Sequence, residues 1–179
     1  RNFILMKYFV KIFVITFFIL VCTNAQAEGK IVYIDMKYVL NNSKAGKGAQ
    51  DFLAKTLKAN NKEFAEKEKA LKKEENDLLG QKTILSKEEY VKKTDALRKK
   101  VIDYQSYRRA AVENIAITKT EARQNLMNKI NPILNTYSKE NNITLIIDKK
   151  NLVMGNTDLD ITNIVIEKLN QVLPSLNLK

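Results

Sequence analysis

The chain has 179 residues, of which 31 are Lys or Arg and 20 are Asp or Glu, giving a net charge of +11 at pH 7. It contains no His and a single Cys, so the commonest general base and the usual soft metal ligands are missing. The acidic residues lie mostly in mixed-charge segments that are typical of solvated helix faces. The composition therefore argues against an enzyme, and we expect neither a metal nor a cofactor.

The segment that begins "MKYFVKIFVITFFILV" at residue 6 has the pattern of a secretory signal peptide. Two lysines precede an apolar run at 12–21, and "AQA" at 25–27 is a cleavage site of the A-x-A type. An uncleaved anchor is the alternative, but ten apolar residues fall short of the roughly 20 that cross a bilayer. We expect cleavage after Ala27, which removes three basic residues and the only Cys and leaves a net charge of +8 without disulfides.

The first mature segment, "IVYIDM" at 31–36, is rich in β-branched and apolar residues and predicts a strand. Gly46 and Lys47 follow it and match two positions of the phosphate-binding pattern G-x-x-x-x-G-K-[ST]. Asn41 and Gly48 stand at its other two fixed positions, so a nucleotide site is not predicted. We interpret the segment as the start of a helix in which small residues allow close packing: Ser43, Gly46 and Gly48.

A long charged segment then predicts an extended helix. Its apolar residues recur every seven positions: Leu57, Phe64, Leu71 and Leu78. A strong coiled coil has two apolar positions per heptad, whereas the second position here is mostly polar. We expect this helix to associate weakly with its neighbour.

A turn is predicted where the sequence reads "LLGQKTILSKEE". Gly80 can be the residue just past the first helix, and Ser86 with Glu89 forms an S-x-x-E capping box for a second one. That second helix enters a core from Leu126 onward, and we expect Pro132 to kink it without ending it. The segment is therefore predicted to be an antiparallel helical hairpin. Its returning apolar face consists of Tyr90, Leu97, Val101, Tyr104, Ala111, Ile115 and Ala122.

The C-terminal part predicts a second strand, "ITLIID" at 143–148, a third, "LVM" at 152–154, and an amphipathic helix in "DLDITNIVIEKLNQVL". Asp160 is the predicted N-cap of that helix. Its inward-facing residues are predicted to be Ile161, Ile164, Val165, Leu169 and Val172.

The predicted fold is α+β and mostly α, with a small β-strand association body and a long helical hairpin. The body comprises residues 28–48 and 126–179, and the hairpin comprises 49–125. Because the strands carry apolar groups on both faces, one chain cannot cover both, and we expect oligomerisation through the body. The expected contact residues are Ile31, Val32, Tyr33, Ile34, Leu145, Ile146 and Ile147.

The end of the hairpin is basic, because residues 81–109 carry nine basic groups against four acidic ones. The basic residues are Lys82, Lys87, Lys92, Lys93, Arg98, Lys99, Lys100, Arg108 and Arg109. They form either a solvated helix face or a binding surface for cargo, and the sequence alone leaves both interpretations open.

Three segments together resemble the Skp/OmpH family of periplasmic chaperones: "KIVYIDMKYVLNNSKAGKGAQ" at 30–50, "INPILNTYSKENNITLIIDKKNLV" at 130–153 and "DLDITNIVIEKLN" at 158–170. The resemblance implies a periplasmic homotrimer whose strands form a shared barrel. It further implies that the hairpins project as tentacles around a cavity that holds unfolded outer-membrane proteins without ATP.

Two other functions compete with this interpretation. A structural coiled-coil spacer between envelope layers would need a retained anchor or a regular two-position heptad, and neither is evident. A cationic module could bind lipopolysaccharide or an anionic membrane surface, and this contact remains open as an accessory role. Nucleic acid is not an expected partner, because the chain is predicted to be exported and its tyrosines form no recognisable base-stacking platform.

Overall fold

The computed structural model describes residues 29–178, so the signal-peptide prediction for residues 1–27 lies outside the described residues. In chain order the elements are β1 (Lys30–Ile34), α1 (Met36–Asn42), α2 (Lys44–Gly80), α3 (Lys87–Glu140), β2 (Ile143–Asp148), the 3-10 turns Lys149–Asn151 and Thr157–Leu159, and α4 (Thr162–Val172). The prediction of an α+β fold that is mostly α, with a long helical hairpin, is confirmed.

The hairpin is formed by α2 and α3. Successive contacts between the two helices join residue 81 to 93, 74 to 100 and 68 to 108, which is the order expected of antiparallel helices. At 1.5 Å per residue, the 37 residues of α2 and the 54 residues of α3 span about 55 and 80 Å. Both helices are heavily charged, and within residues 29–178 no helix combines the length and hydropathy that a membrane span requires.

At the end of the hairpin, the N-terminus of α3 carries the predicted capping box. The Ser86 hydroxyl accepts a hydrogen bond from the Glu89 N–H at 3.3 Å, and the Ser86 N–H donates to the Glu89 carboxylate at 3.2 Å. The prediction for Gly80 was wrong, because Gly80 is still helical and no described glycine has a positive φ. The turn instead closes with the Gln81 N–H donating to the Leu78 carbonyl, which needs no left-handed residue.

Pro132 lies inside α3, which continues to Glu140, so the prediction that the proline does not end the helix is confirmed. The neighbouring side chains Ile130 and Ile133 pack in or against the core of the body. Since proline removes one backbone donor, these apolar contacts offset the missing hydrogen bond and hold the helix together at this turn.

β1 and β2 form a two-stranded parallel sheet in which Val32 pairs with Ile146. The predicted third strand at 152–154 was wrong, because these residues pair with neither strand. The 3-10 turn that follows β2 carries the chain away from the ladder, and Gly155 then lies against the Tyr33 ring. A single parallel bridge between Tyr33 and Asp160 replaces the expected strand.

The core of the body lies between the sheet, α1, the body ends of the hairpin helices and α4. Its buried residues are Val32, Ile34, Val39, Ala45, Leu126, Ile130, Ile161, Val165 and Leu169. Because residues from both ends of the chain contribute, the core joins segments that are separated by the whole hairpin.

The C-terminal helix differs from its prediction in two details. It begins at Thr162 with Ile161 as the N-cap, although the Asp160 carboxylate does accept a hydrogen bond from the Thr162 N–H at 2.9 Å. Ile164 and Val172 are exposed rather than inward-facing. The buried stripe of α4 is therefore narrower than the apolar periodicity suggested.

The interface between α2 and α3, which we call the seam, contains few buried residues, as predicted. Phe64, Leu78 and Leu97 are buried, while most of the other predicted seam residues are only partly buried. Leu57 was expected in the seam but is exposed. Few buried contacts therefore hold the two helices together over a long distance.

Candidate functional site

The hairpin is attached to the body at a tight junction between α1 and α2. The Ser43 hydroxyl is buried and accepts a hydrogen bond from the Gly46 N–H at 3.1 Å. Asn170 of α4 accepts one from the Lys44 N–H at 2.7 Å. A Cβ at Gly46 would overlap the Leu40 carbonyl oxygen, so only glycine fits there, whereas Gly48 has open space around it.

The same junction explains why the glycines do not form a phosphate site. The N–H groups of Lys44, Gly46 and Lys47 already donate to Asn170 and to the side chain and carbonyl of Ser43. A phosphate cradle needs such amides free to face the ligand. The close packing predicted for this segment is confirmed at Gly46 and was wrong at Gly48.

Halfway along the hairpin, aromatic rings bridge the two helices. Phe64 of α2 packs edge-to-face against Tyr104 and Tyr107 of α3, with ring centroids 6.4 and 6.1 Å apart. The Arg108 guanidinium lies 5.7 Å from the centre of the Phe64 ring. These contacts place three aromatic rings at one level of the hairpin.

Carboxylates of α2 complete this cluster, which we call the mid-arm clasp (Glu63, Phe64, Glu68, Tyr104, Tyr107 and Arg108). Tyr107 donates a hydrogen bond to Glu63 at 2.8 Å, and Tyr104 donates one to Glu68 at 2.6 Å. Arg108 also pairs with Glu68 at 3.1 Å. The clasp therefore fixes the register between α2 and α3.

The ionisation of the clasp follows from these bonds. The hydrogen bond from Tyr107 lowers the pKa of Glu63, because it favours the charged carboxylate. The same bond raises the pKa of Tyr107, whereas desolvation and then the bond to Glu68 raise the pKa of Tyr104. Both tyrosines are protonated donors at neutral pH, and the raised pKa keeps them donors to a higher pH than a free phenol.

The nine basic residues predicted to bind cargo are all exposed, but they fall into two groups. Four of them bind other side chains: Lys93 to Gln81, Arg98 to Asp95, Lys100 to Glu74 and Arg108 to Glu68. The other five form no ion pair with any residue between 29 and 178: Lys82, Lys87, Lys92, Lys99 and Arg109. Four of the nine predicted residues therefore make contacts within the hairpin itself.

A groove of about 1050 Å³ runs along one side of the hairpin. Its apolar lining comes from Leu71 of α2 and from Leu97, Val101, Tyr104 and Val112 of α3. Charged residues from both helices also line it, including Glu68 and Arg108 of the clasp. The sequence does not reveal this groove, because its shape depends on how the two helices are aligned.

The residues predicted to drive oligomerisation also divide into two groups. Val32, Ile34 and Ile146 pack in or against the core of the subunit itself. Tyr33 is buried beside Gly155, and Ile147 is partly buried. The register partners Ile31 and Leu145 are exposed next to each other on the outer face of the sheet. The free apolar surface of the sheet therefore centres on this pair.

Comparisons with known proteins agree with this architecture. The crystal structure of a protein from Caulobacter crescentus CB15, described as an OmpH-like outer membrane chaperone, superposes with a TM-score of 0.78. The two sequences are 18% identical, and the match covers 88% of this chain and 93% of the other, so it shows a shared fold. A search of curated proteins found no match. The family model described as outer membrane protein (OmpH-like) matches residues 30–169, and the chain therefore belongs to the OmpH-like family.

Proposed function

We propose that this protein is an ATP-independent periplasmic holdase chaperone that binds unfolded outer-membrane proteins between its helical arms and prevents their aggregation. Residues 1–27 would direct export and be removed after Ala27. The body, at 28–48 and 126–179, would assemble several copies, and the hairpin at 49–125 would hold the client. The role is a binding one and requires no catalytic group.

The observation that carries this proposal is the form of the hairpin. It extends far beyond the core, is joined by a thin seam and presents an open apolar groove with a charged border. Few buried contacts make such an element easy to deform, which suits a surface that must adapt to many unfolded chains. Membership of the OmpH-like family and the chaperone description of the Caulobacter protein support the same role.

Assembly into a homotrimer completes the proposal. Ile31 and Leu145 leave an apolar patch on the sheet, and Val153 and Met154 are exposed in the segment that follows β2. A second and third copy that cover these residues would place three hairpins around one space. Several arms that hold one client also raise the effective concentration of weak contacts, so no single site has to be strong.

Aggregation of a denatured client tests the function directly. The purified mature protein is mixed at a stoichiometric ratio with a urea-unfolded outer-membrane protein during dilution, without nucleotide. We expect light scattering to stay near baseline and added ATP to change nothing. Scattering as strong as in a sample with an unrelated protein of equal net charge would contradict the proposal and favour the structural spacer.

The unpaired lysines near the hairpin turn are expected to speed capture of an acidic client. Reversing Lys82, Lys92 and Lys99 to Glu changes the charge of a subunit by −6 at residues that form no ion pair within the described chain. Association at low salt should slow severalfold and depend less on salt, because charge steering is screened within about 8 to 10 Å.

A triple variant with the same charge change on or near the body provides the matched control: Lys37, Lys129 and Lys139 to Glu. Its association rate should fall less than that of the turn variant. Stopped-flow fluorescence against ionic strength measures both. If both variants slow association equally, the effect comes from net charge alone. If neither rate changes, the basic residues are only a solvated helix face and do not contribute to capture.

A further inference from the structure

The chain continues beyond α4 as an extended segment that lies against the body. α4 ends at Val172, and Leu173 has φ −142° and ψ 78°, because the proline that follows disfavours a helical conformation in the residue before it. In residues 173–178, which we call the strap, the three leucines are partly buried, whereas the proline, serine and asparagine between them are exposed. The strap therefore has its leucines on the side that is shielded from water.

Apolar side chains hold the strap in place. Leu173 and Leu176 pack against the core of the body. The Leu173 N–H donates to the Leu169 carbonyl, which closes α4, and the Leu178 N–H donates to the Leu176 carbonyl within the strap. Within residues 29–178, no other backbone hydrogen bond outside the helices and strands involves the strap. Residues 174–178 can therefore leave the body without breaking a backbone hydrogen bond to it.

The buried part of the core is complete without the strap. All nine of its buried residues lie between Val32 and Leu169, so the strap covers the core from outside. Its loss would uncover apolar surface but would remove none of these nine side chains. Segments that few buried contacts hold in place open locally at a much smaller free energy than global unfolding. We therefore expect the strap to open while the rest of the body stays folded.

We propose that the body carries a binding site for the leucines of an extended segment, and that the chain's own strap is the occupant of this site. The tether at Leu173 keeps the strap at a high effective concentration, so the site is filled most of the time. The same site accepts an identical segment from a second molecule when the strap is open or absent. The inference concerns the body alone and does not rest on the proposed chaperone function.

Thiol labelling measures whether the strap opens. The only Cys lies within residues 1–27, so the mature chain can carry one thiol introduced by Leu176→Cys, Asn177→Cys or Val165→Cys. Position 177 is exposed, and Val165 is completely buried in α4. Each rate of reaction with Ellman's reagent is divided by the rate of the same variant in urea. The thiol at 176 should react severalfold more slowly than the thiol at 177, and about tenfold or more faster than the thiol at 165.

Two outcomes of the labelling experiment would overturn the inference. Equal normalised rates at 176 and 177 would show that the strap is not seated on the body. Equal normalised rates at 176 and 165 would show that the segment is a fixed part of the core and opens only when the whole body unfolds.

Removal of the strap tests the site itself. A variant that ends at Leu173 keeps the hydrogen bond that closes α4. Its unfolding temperature should be about 5 °C below that of the full mature chain at equal protein concentration, because two leucines lose their apolar contacts. The peptide PSLNLK, which corresponds to residues 174–179, should raise this temperature at millimolar concentration in the truncated variant and not in the full chain, whose site is occupied.

The control is a peptide with Ser in place of both leucines, which should have no effect on either protein. A truncated variant that fails to fold, or one with an unchanged unfolding temperature, would contradict the proposal. A leucine peptide that stabilises both proteins equally, or neither, would contradict it as well. Neither experiment contains a client, so the light-scattering test decides the chaperone function separately.

Discussion

Replacing Leu145 with Asp is expected to dissociate the proposed oligomer while the subunit stays folded. Leu145 is 49% exposed in the subunit and lies beside Ile31 on the outer face of the sheet. The carboxylate would remain hydrated in a free subunit. In an apolar interface it would be buried without a partner, at a cost of several kcal/mol. Light scattering after size exclusion should therefore report single subunits with a native circular-dichroism spectrum.

Two further substitutions define what this result means. Ile117→Asp introduces the same charge at a residue of α3 that is 48% exposed and outside the sheet, and should leave the oligomer intact. Ile146→Asp places the charge against the core of the subunit and should unfold the body itself. An unchanged oligomer in the Leu145 variant would show that assembly uses another surface.

Replacing Phe64 with Ala is expected to open the middle of the hairpin. The side chain is almost completely buried between the rings of Tyr104 and Tyr107, and loss of a buried Phe costs about 3 to 5 kcal/mol. The flanking seam contains few buried residues to compensate. Hydrogen exchange should accelerate strongly in both helices around the mid-arm clasp, while β1 and α4 keep their protection.

Tyr107→Phe is the matched control for this variant. It retains the ring and removes only the hydroxyl that donates to Glu63, and because this hydrogen bond is exposed to solvent, exchange should change far less than in the Phe64 variant. If both variants exchanged at the wild-type rate, the clasp would not hold the helices together, and the thin seam alone would have to do so.

Local sequence signals predicted the elements whose stabilising contacts lie close along the chain. The Ser86 capping box spans four residues, and both of its hydrogen bonds form as expected. β1 and β2 pair with each other across more than 100 positions, but their apolar, β-branched composition alone predicted strands. The width of the seam followed from counting apolar positions per heptad.

Features that depend on distant residues were not predictable in this way. The clasp joins Phe64 to Tyr104, 40 positions later, and its register is set only when α2 and α3 align. Residues 152–154 have the composition of a strand, but the 3-10 turn at Lys149–Asn151 leads them away from the sheet edge. Sequence alone also could not show that Ile146 packs against the core while Leu145 is exposed, because this depends on which face of the sheet the rest of the chain covers.

The hairpin meets the body at the buried junction of Ser43 and Gly46, so a small rotation at this junction would move the distant turn by a much larger distance. From Gly46 to the end of α2 at Gly80 the helix rises over 34 residues, so the turn lies about 50 Å from the junction. At that distance a rotation of about 10° at the junction moves the turn by roughly 10 Å. A side chain at Gly46 would push against the Leu40 carbonyl, so a substitution there is expected to move the turn although it lies remote from any surface that a client would touch.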